Sequence, residues 1–224
     1  NDADRTTASR DAARSVYREI VPHYPLPLDG PIAQAFTVGR VRVILTDSRS
    51  ERAPSRAPDG PGKSMLGETQ LAWLFDELLR ARDTAALIVW VNSVPWISSS
   101  AGGDDWGAYA AERRRIADFI VEHGIRNLVM LSGDAHMLAA DSGANNRFAA
   151  GDSGPGFPVY HAGALDRRGS VKGGPYSEGA HPGGGQFGLL TIDDRGDALE
   201  VTFSGRNWRG EELIRHAVTF AVER

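Results

Sequence analysis

The sequence contains no cysteine, no long apolar run and no excess of basic charge. Without cysteine, neither a disulfide framework nor a thiolate metal site can form, although this absence does not identify a compartment. The longest apolar segment, TAALIVWV, is too short to cross a bilayer. A formal net charge of −4 and the lack of a basic block give no nucleic-acid signature. With 224 residues, 41% of them hydrophobic, the chain can form one large domain around its own core.

The middle of the chain alternates between helical and strand patterns. GETQLAWLFDELLRA and WGAYAAERRRIADFIVEH carry apolar residues at helical spacing. Each is followed by an apolar run, AALIVWV or RNLVML, that is typical of a strand covered on both faces. The order helix, strand, helix, strand over residues 68–133 predicts parallel strands joined by right-handed crossovers.

The two ends of the chain show different patterns. Residues 9–21 have helical spacing, and PIAQAFTVG and RVRVIL, which follow, are typical of two strands. After His136 glycine becomes frequent, and shorter strands joined by turns are indicated. These are FPVYHAGA, GQFGLLTIDD and ALEVTFSGRN, while ELIRHAVTFAVE fits either a strand or a helix. We therefore predict one α/β unit with a β-rich tail.

Polar side chains follow two of the predicted strands. Asp134 and His136 come after RNLVML, and Asp47 and Arg49 come after RVRVIL. In open α/β sheets, ligands bind at the carboxyl ends of the strands. A carboxylate and a neutral imidazole two residues apart suit a divalent metal ion, and an arginine fork suits phosphate or carboxylate. The pattern suggests phosphate-ester chemistry at a metal site.

Each of these four residues also has a structural interpretation. Asp134 can cap the segment after its strand, and His136 can be a satisfied surface histidine. Asp47 and Arg49 can form a local salt bridge. For isolated Asp-x-His and Asp-x-Arg pairs, we consider these interpretations the more common ones.

Other side chains capable of chemistry have simpler interpretations. We expect Trp73, Trp90 and Trp96 in the core or in packing contacts, and the three consecutive arginines 113–115 on the solvated face of a helix. His161 and His181 lie in glycine-rich segments and remain candidates for the site.

Five motifs occur in order between about residues 40 and 140: LTDSRS, SMLGETQLAWL, NSVPW, DDWGAYAAERRRI and NLVMLSGDAHM. This set resembles the second half of a PhoD-like metallophosphatase, an alkaline phosphatase D relative within the calcineurin-like superfamily. The resemblance implies that residues 1–224 form the C-terminal part of a layered α/β sandwich with a β-rich tail. Beyond residue 145 the resemblance is limited to FGLLTID.

The same resemblance implies a metal-dependent phosphoric ester hydrolase, either a phosphomonoesterase or a phosphodiesterase. Its Gly-Asp-x-His segment assigns Asp134 and His136 to the metal and to catalysis. Asp47 is assigned to the metal as well, and Arg49 to contact with the phosphate. The metal ions, calcium, iron, manganese or zinc, would polarise the phosphoryl oxygens and lower the pKa of the attacking water.

Members of this family begin with a half that carries further ligands and ends in a segment resembling Asp-Asp-His-Asp. Here the opening NDADRTTASRDAARSVYREIVP resembles the helix that would follow it. We therefore expect the site to need that half as a partner, beside a phosphate-ester substrate. Without the partner, we expect an exposed apolar surface and oligomerisation.

Two alternatives remain open at this point. The first is a degenerate, non-catalytic binding module with a phosphatase fold, and the second is a metal hydrolase that acts on a different ester. Relatives are often exported, so the resemblance suggests the periplasm or the cell surface, although no export signal is visible in these residues.

Overall fold

Two β-sheets and three α-helices form the part of the chain that the structure describes, residues 3–101 and 103–222 of a computed structural model. The helices are α1 (Arg10–Ile20), α2 (Glu68–Thr84) and α3 (Ala110–Glu122). The larger, seven-stranded sheet contains β1 (Gln34–Val38), β2 (Val41–Leu45), β3 (Leu87–Asn92), β4 (Leu128–Ser132), β5 (Met137–Asp141), β6 (Val159–His161) and β7 (Gly179–Pro182). The smaller sheet contains β8 (Gln186–Asp194), β9 (Ala198–Asn207) and β10 (Glu212–Ala221).

The centre of the larger sheet is parallel, as the alternating patterns predict. Its strand order is β1-β2-β3-β4-β6-β5-β7, and β2, β3, β4 and β6 are parallel to one another. In sequence, α2 connects β2 to β3, and α3 connects β3 to β4. The carboxyl ends of the four parallel strands therefore lie along one edge of the sheet, where they can present side chains to a ligand.

Successive side chains of the buried strands point alternately to the two faces of the larger sheet, so that it forms the middle of three layers. In β3, Ile88 and Trp90 pack with the helices, while Leu87 and Val89 pack with the smaller sheet. A strand covered on both faces needs apolar residues at successive positions, which is why AALIVWV is an unbroken apolar run. The helices, the larger sheet and the smaller sheet form a layered α/β sandwich, which confirms the expected fold class.

The β-rich tail contains more strands than the sequence patterns predict. Residues Glu212–Ala221 of the ambiguous segment ELIRHAVTFAVE form a strand, β10, paired antiparallel with β9, and the last residue of the segment lies outside the described residues. The short strands β5 and β7 were not predicted, and they extend the larger sheet by antiparallel pairing. β5 reads MLAAD and is buried throughout, so it lacks the polar alternation that would identify a half-exposed strand. His161 lies in β6, within the predicted strand FPVYHAGA, whereas His181 lies in the unpredicted strand β7.

Arg113 does not lie on the solvated face of its helix, so the expectation was wrong for this residue, whereas Arg114 and Arg115 are exposed as expected. Its guanidinium is buried and donates hydrogen bonds to the carbonyl oxygens of Trp96 (2.8 Å) and Ser98 (2.7 Å). It also lies 3.7 Å from the centre of the Phe148 ring. Burial lowers the pKa of Arg113 to about 10. Trp96 is fully buried, which confirms its expected place in the core.

Within residues 3–101 and 103–222, no helix is long and apolar enough to cross a membrane. The described chain nevertheless exposes apolar side chains on α1, where Val16 and Ile20 are 52% and 69% exposed. A second apolar surface is a cavity of about 390 Å³ between β2 and the smaller sheet, with Leu190 and Ile192 in its wall. Apolar surface of this kind is typical of an interface.

We expect this chain, prepared by itself, to self-associate through α1. Size-exclusion chromatography with light scattering over a range of concentrations is expected to show dimers or larger species. The double substitution Val16→Ser/Ile20→Ser should shift the distribution towards monomer, because it removes the apolar face. Leu165→Ser, at an isolated exposed apolar position, is the control. A chain that is monomeric at every concentration would contradict the expectation.

Candidate functional site

The candidate site lies where β2, β3, β4 and β6 end. The register aligns the last residues of three neighbouring strands, Asn92, Ser132 and His161. Behind this row, the indole of Trp106 donates a hydrogen bond to Oδ1 of Asn92 (3.1 Å). The row is buried, so the segments that follow these strands begin from a rigid edge.

Asp47 organises the turn after β2. Its Oδ1 accepts hydrogen bonds from the backbone N–H groups of Arg49 (3.0 Å) and Ser50 (2.9 Å), and its Oδ2 accepts one from Ile32 (3.1 Å). The carboxylate thus bonds the backbone of Arg49, while the guanidinium of Arg49 has other partners. The hydrogen bonds of Asp47 thus fix the backbone of Arg49. The assignment of Asp47 to a metal ion stays a prediction.

Asp134 forms the sharp turn after β4. Its φ of 66° lies in the left-handed region, where aspartate is one of the few non-glycine residues found with any frequency. Two backbone hydrogen bonds support the turn, from Ala135 N to Gly133 O and from Met137 N to Ala135 O, both 2.8 Å long. Residues held in such conformations cluster at functional sites.

Four charged side chains, one of them Asp134, form a network of ion pairs beyond the end of β4. Nζ of Lys172 lies 2.6 Å from Oδ2 of Asp134 and 3.5 Å from Oδ1 of Asp104. Nη2 of Arg49 lies 3.6 Å from Oδ1 of Asp134 and 3.5 Å from Oδ2 of Asp104. Each carboxylate therefore faces both cations. We call these four residues, Arg49, Asp104, Asp134 and Lys172, the charge cluster.

The pKa shifts in the charge cluster stabilise the charged forms. Burial opposes the charge on Asp104, but the nearby cations Lys172, Arg49 and Arg52 outweigh it and lower the pKa of Asp104. Burial likewise opposes the charge on Lys172. Its hydrogen bond and charge interaction with Asp134, together with Asp104, outweigh that effect and raise the pKa of Lys172. Both groups are consequently ionised at neutral pH.

His136 has different partners from Asp134. Its Nδ1 lies 3.0 Å from the carbonyl oxygen of Arg168, which makes Nδ1 the protonated nitrogen and leaves Nε2 as an acceptor. Its own carbonyl oxygen accepts hydrogen bonds from Ser170 and Gly183. A backbone carbonyl on one ring nitrogen is how metal-binding histidines are commonly oriented. The roles predicted for His136 stay predictions.

The buried His161 connects the end of β6 to the loop that carries Lys172. Its Nε2 lies 3.2 Å from the hydroxyl of Tyr176, and that hydroxyl donates to the carbonyl oxygen of Lys172 (2.9 Å). Since the hydroxyl proton is used there, Nε2 of His161 must be the donor of the first bond. Burial lowers the pKa of His161 to about 4, so the ring is neutral at pH 7.

Sequence reasoning did not identify Asp104 or Lys172. In the DDWGAY motif, the neighbouring Asp105 accepts the capping hydrogen bond from Gly107 N (2.9 Å), while Asp104 belongs to the charge cluster. Lys172 follows Asp134 by 38 residues in a glycine-rich segment without a recognisable motif. Many charged residues of this sequence lie close to glycine, so position in a glycine-rich segment does not distinguish Lys172 from the others.

The carboxylate oxygens of the charge cluster are the kind of ligand that a hard cation binds. Within the described part of the chain, no hydrogen bond reaches Oδ2 of Asp104. Carboxylate oxygens are ligands that calcium and manganese prefer. Among those same residues, however, no group of three or more histidine, aspartate or glutamate side chains is arranged to hold a metal. Asp104 and Asp134 thus fit one side of a metal site.

A cavity of about 460 Å³ opens beside the turn that carries Arg49. It lies between α1 and the carboxyl end of β2, and its walls include Ala13, Tyr17, Ile32 and Leu45. This mostly apolar space adjoins a cationic side chain, an arrangement that suits a ligand with an anionic and an apolar part.

Comparison with known proteins identifies the family that the chain resembles. A model of the PhoD-like phosphatases matches residues 1–164, more than half of the chain. Alkaline phosphatase D of Bacillus subtilis (strain 168) is 29% identical over 153 residues, which cover 57% of this chain and 25% of that protein. A solved structure of PhoD superposes with a TM-score of 0.60 at 17% identity, which shows the shared fold. This chain is covered completely, and it spans 53% of that one, about half its length.

Proposed function

Because the chain belongs to the PhoD-like phosphatase family, we propose that it takes part in the hydrolysis of phosphoric esters, monoesters or diesters, at the charge cluster. The observation that carries this proposal is the convergence of Arg49, Asp104, Asp134 and Lys172 beyond the carboxyl ends of parallel strands. Ligands of open α/β sheets bind at such an edge. The cluster supplies both the cations that attract a phosphate and the carboxylates that attract a metal ion.

We propose further that the activity depends on calcium, iron, manganese or zinc. Asp134 would hold the metal ion, with His136 and Asp47 as the other predicted ligands. A bound metal ion would polarise the phosphoryl oxygens and lower the pKa of the attacking water. Two or three side chains are too few for a metal pair, so the remaining ligands would come from another segment of a longer protein.

The chain's own residues have separate roles in this proposal. Arg49, oriented by the bonds of Asp47 to the backbone, binds the phosphate oxygens through its planar fork. The left-handed turn at Asp134 aims its carboxylate at the same place as Arg49. The cavity beside Arg49 accommodates the organic part of the ester.

The test is hydrolysis of bis-p-nitrophenyl phosphate by the complete gene product with each metal supplied in turn. We expect metal-dependent turnover that falls about 100-fold or more in His136→Ala, since even the loss of an outer-shell partner of a metal costs about 10- to 100-fold. His123→Ala is the matched control, because His123 ends α3 at the opposite edge of the sheet. Turnover that His136→Ala leaves unchanged would remove His136 from the site.

The second candidate function is a non-catalytic module that binds phosphate-containing ligands. The observation that favours it is that Lys172 and Arg49 already form ion pairs with the carboxylate of Asp134. These ion pairs compete with a metal ion for that carboxylate. Binding without turnover, with every metal supplied, would support this candidate over hydrolysis.

A further inference from the structure

Lys172 is a cation of the site that neither the sequence motifs nor the family resemblance identified. We propose that Lys172 is a second phosphate-binding residue beside Arg49, and that it pairs with Asp134 until a metal ion takes that carboxylate. This inference rests on the proposed function, and it assigns a substrate contact to a residue of the glycine-rich loop.

The first argument is the geometry of the charge cluster. Lys172 reaches both carboxylates, and its contact with Asp134 is the shortest in the cluster, at 2.6 Å. Arg49 reaches the same two carboxylates from the other side. Two cations that share two carboxylates are close enough together to share one phosphate.

The second argument is the way in which the backbone of Lys172 is held. Tyr176 donates a hydrogen bond to the Lys172 carbonyl (2.9 Å), and Gly174 N donates to Ile97 O (2.8 Å). At Gly173, where φ is +71°, a Cβ atom would lie 1.9 Å from the carbonyl oxygen of Ile97, so only glycine fits. The backbone is thus anchored at Lys172 and directly after it, while the lysine side chain is 33% exposed. Such a side chain can change partner while its backbone stays in place.

The third argument is charge balance. Two carboxylates and two cations leave the cluster without net charge. When a divalent cation binds Asp134, it replaces Lys172 as the partner of that carboxylate, and the net charge of the site becomes positive. The ammonium group of Lys172 then keeps only its longer contact with Asp104, and a phosphate ester held by Arg49 supplies a second anion. Lys172 therefore opposes metal binding and favours phosphate binding.

The experiment measures these two effects separately by isothermal titration calorimetry. Mn²⁺ is titrated into the metal-free complete gene product, and inorganic phosphate is titrated into the same protein saturated with Mn²⁺. In Lys172→Met, Mn²⁺ should bind about three- to fivefold more tightly, because a partly exposed ion pair no longer competes. Phosphate should bind about tenfold more weakly, because a charge-assisted hydrogen bond is lost. Lys172→Arg should keep phosphate affinity within about threefold of the wild type.

Arg167→Met is the matched control, because Arg167 is an exposed cation of the same loop. Opposite shifts of the two affinities in Lys172→Met alone would support the inference, since a purely structural role would weaken both. Two affinities that fall together, or that stay unchanged, would overturn it. If metal-dependent hydrolysis persists beside that result, only the inference fails. If the wild type neither binds Mn²⁺ nor hydrolyses the ester, both proposals fail together.

Discussion

Asp134→Asn is expected to lower metal-dependent hydrolysis of bis-p-nitrophenyl phosphate by more than about 100-fold, beyond what the loss of an outer-shell partner costs. Asparagine has the same shape and also tolerates the left-handed region, so the backbone at φ 66° should stay as it is. What the substitution removes is the negative charge that faces Lys172 and Arg49 and that would hold a metal ion. The measurement is kcat/KM with the metal supplied, together with a thermal melt.

The control for this prediction is Asp152→Asn. Asp152 is the other non-glycine residue with positive φ (51°) in the described part of the chain, and it is exposed. The same substitution in the same backbone region should leave both activity and melting temperature unchanged. Asp134→Gly adds a further comparison, because it relieves the backbone while it removes the charge. If Asp134→Asn retains full activity, Asp134 has no place in the site.

Glu112→Ala is expected to reduce the free energy of unfolding by about 3–5 kcal/mol, because it leaves two buried donors without partners and opens a cavity. Oε2 of Glu112 accepts a hydrogen bond from Met65 N (2.8 Å), and Oε1 accepts one from Leu66 N (3.1 Å). Both donors belong to fully buried core residues directly before α2. Such a loss is a large part of the roughly 5–15 kcal/mol that stabilises a typical domain.

Urea denaturation checks this prediction. Glu112→Gln is expected to fall between alanine and the wild type, because an amide has one acceptor oxygen and its NH₂ group would face a backbone N–H. Burial raises the pKa of Glu112. The amide of glutamine carries no charge, so this substitution leaves no unpaired charge in the core. Glu122→Ala, at an exposed position in the last turn of the same helix, is the control. A change below about 0.5 kcal/mol in Glu112→Ala, the range of ordinary surface substitutions, would contradict the importance of these bonds.

Much of the fold can be predicted because it depends on local periodicity. The parallel strands β3 and β4 and the helices before them follow from unbroken apolar runs and from apolar residues at helical spacing. The strands β5 and β7 could not be predicted in this way. β5 is buried and short, and β7 is a four-residue edge strand that exists only because β5 is there to pair with it.

The candidate site was only partly predictable for a related reason. Asp134 and Arg49 were identified because each follows a recognisable strand, and the structure brings their side chains within 3.6 Å of each other. Arg113 was misjudged because burial of a charged residue depends on carbonyl groups that other segments supply. Helical spacing alone could not show which of three consecutive arginines points inward.

The sequence by itself determined the alternation of helices and strands, the parallel centre of the larger sheet and the polar residues at its carboxyl edge. Only the tertiary structure decided which charges meet there. Asp104 and Lys172 are separated from Asp134 by 30 and 38 residues, and loops anchored at Ile97 and Tyr176 bring them together. Local spacing encodes which face a residue occupies within its own helix or strand. The partner of a charge depends on how distant loops close, and no local pattern records that.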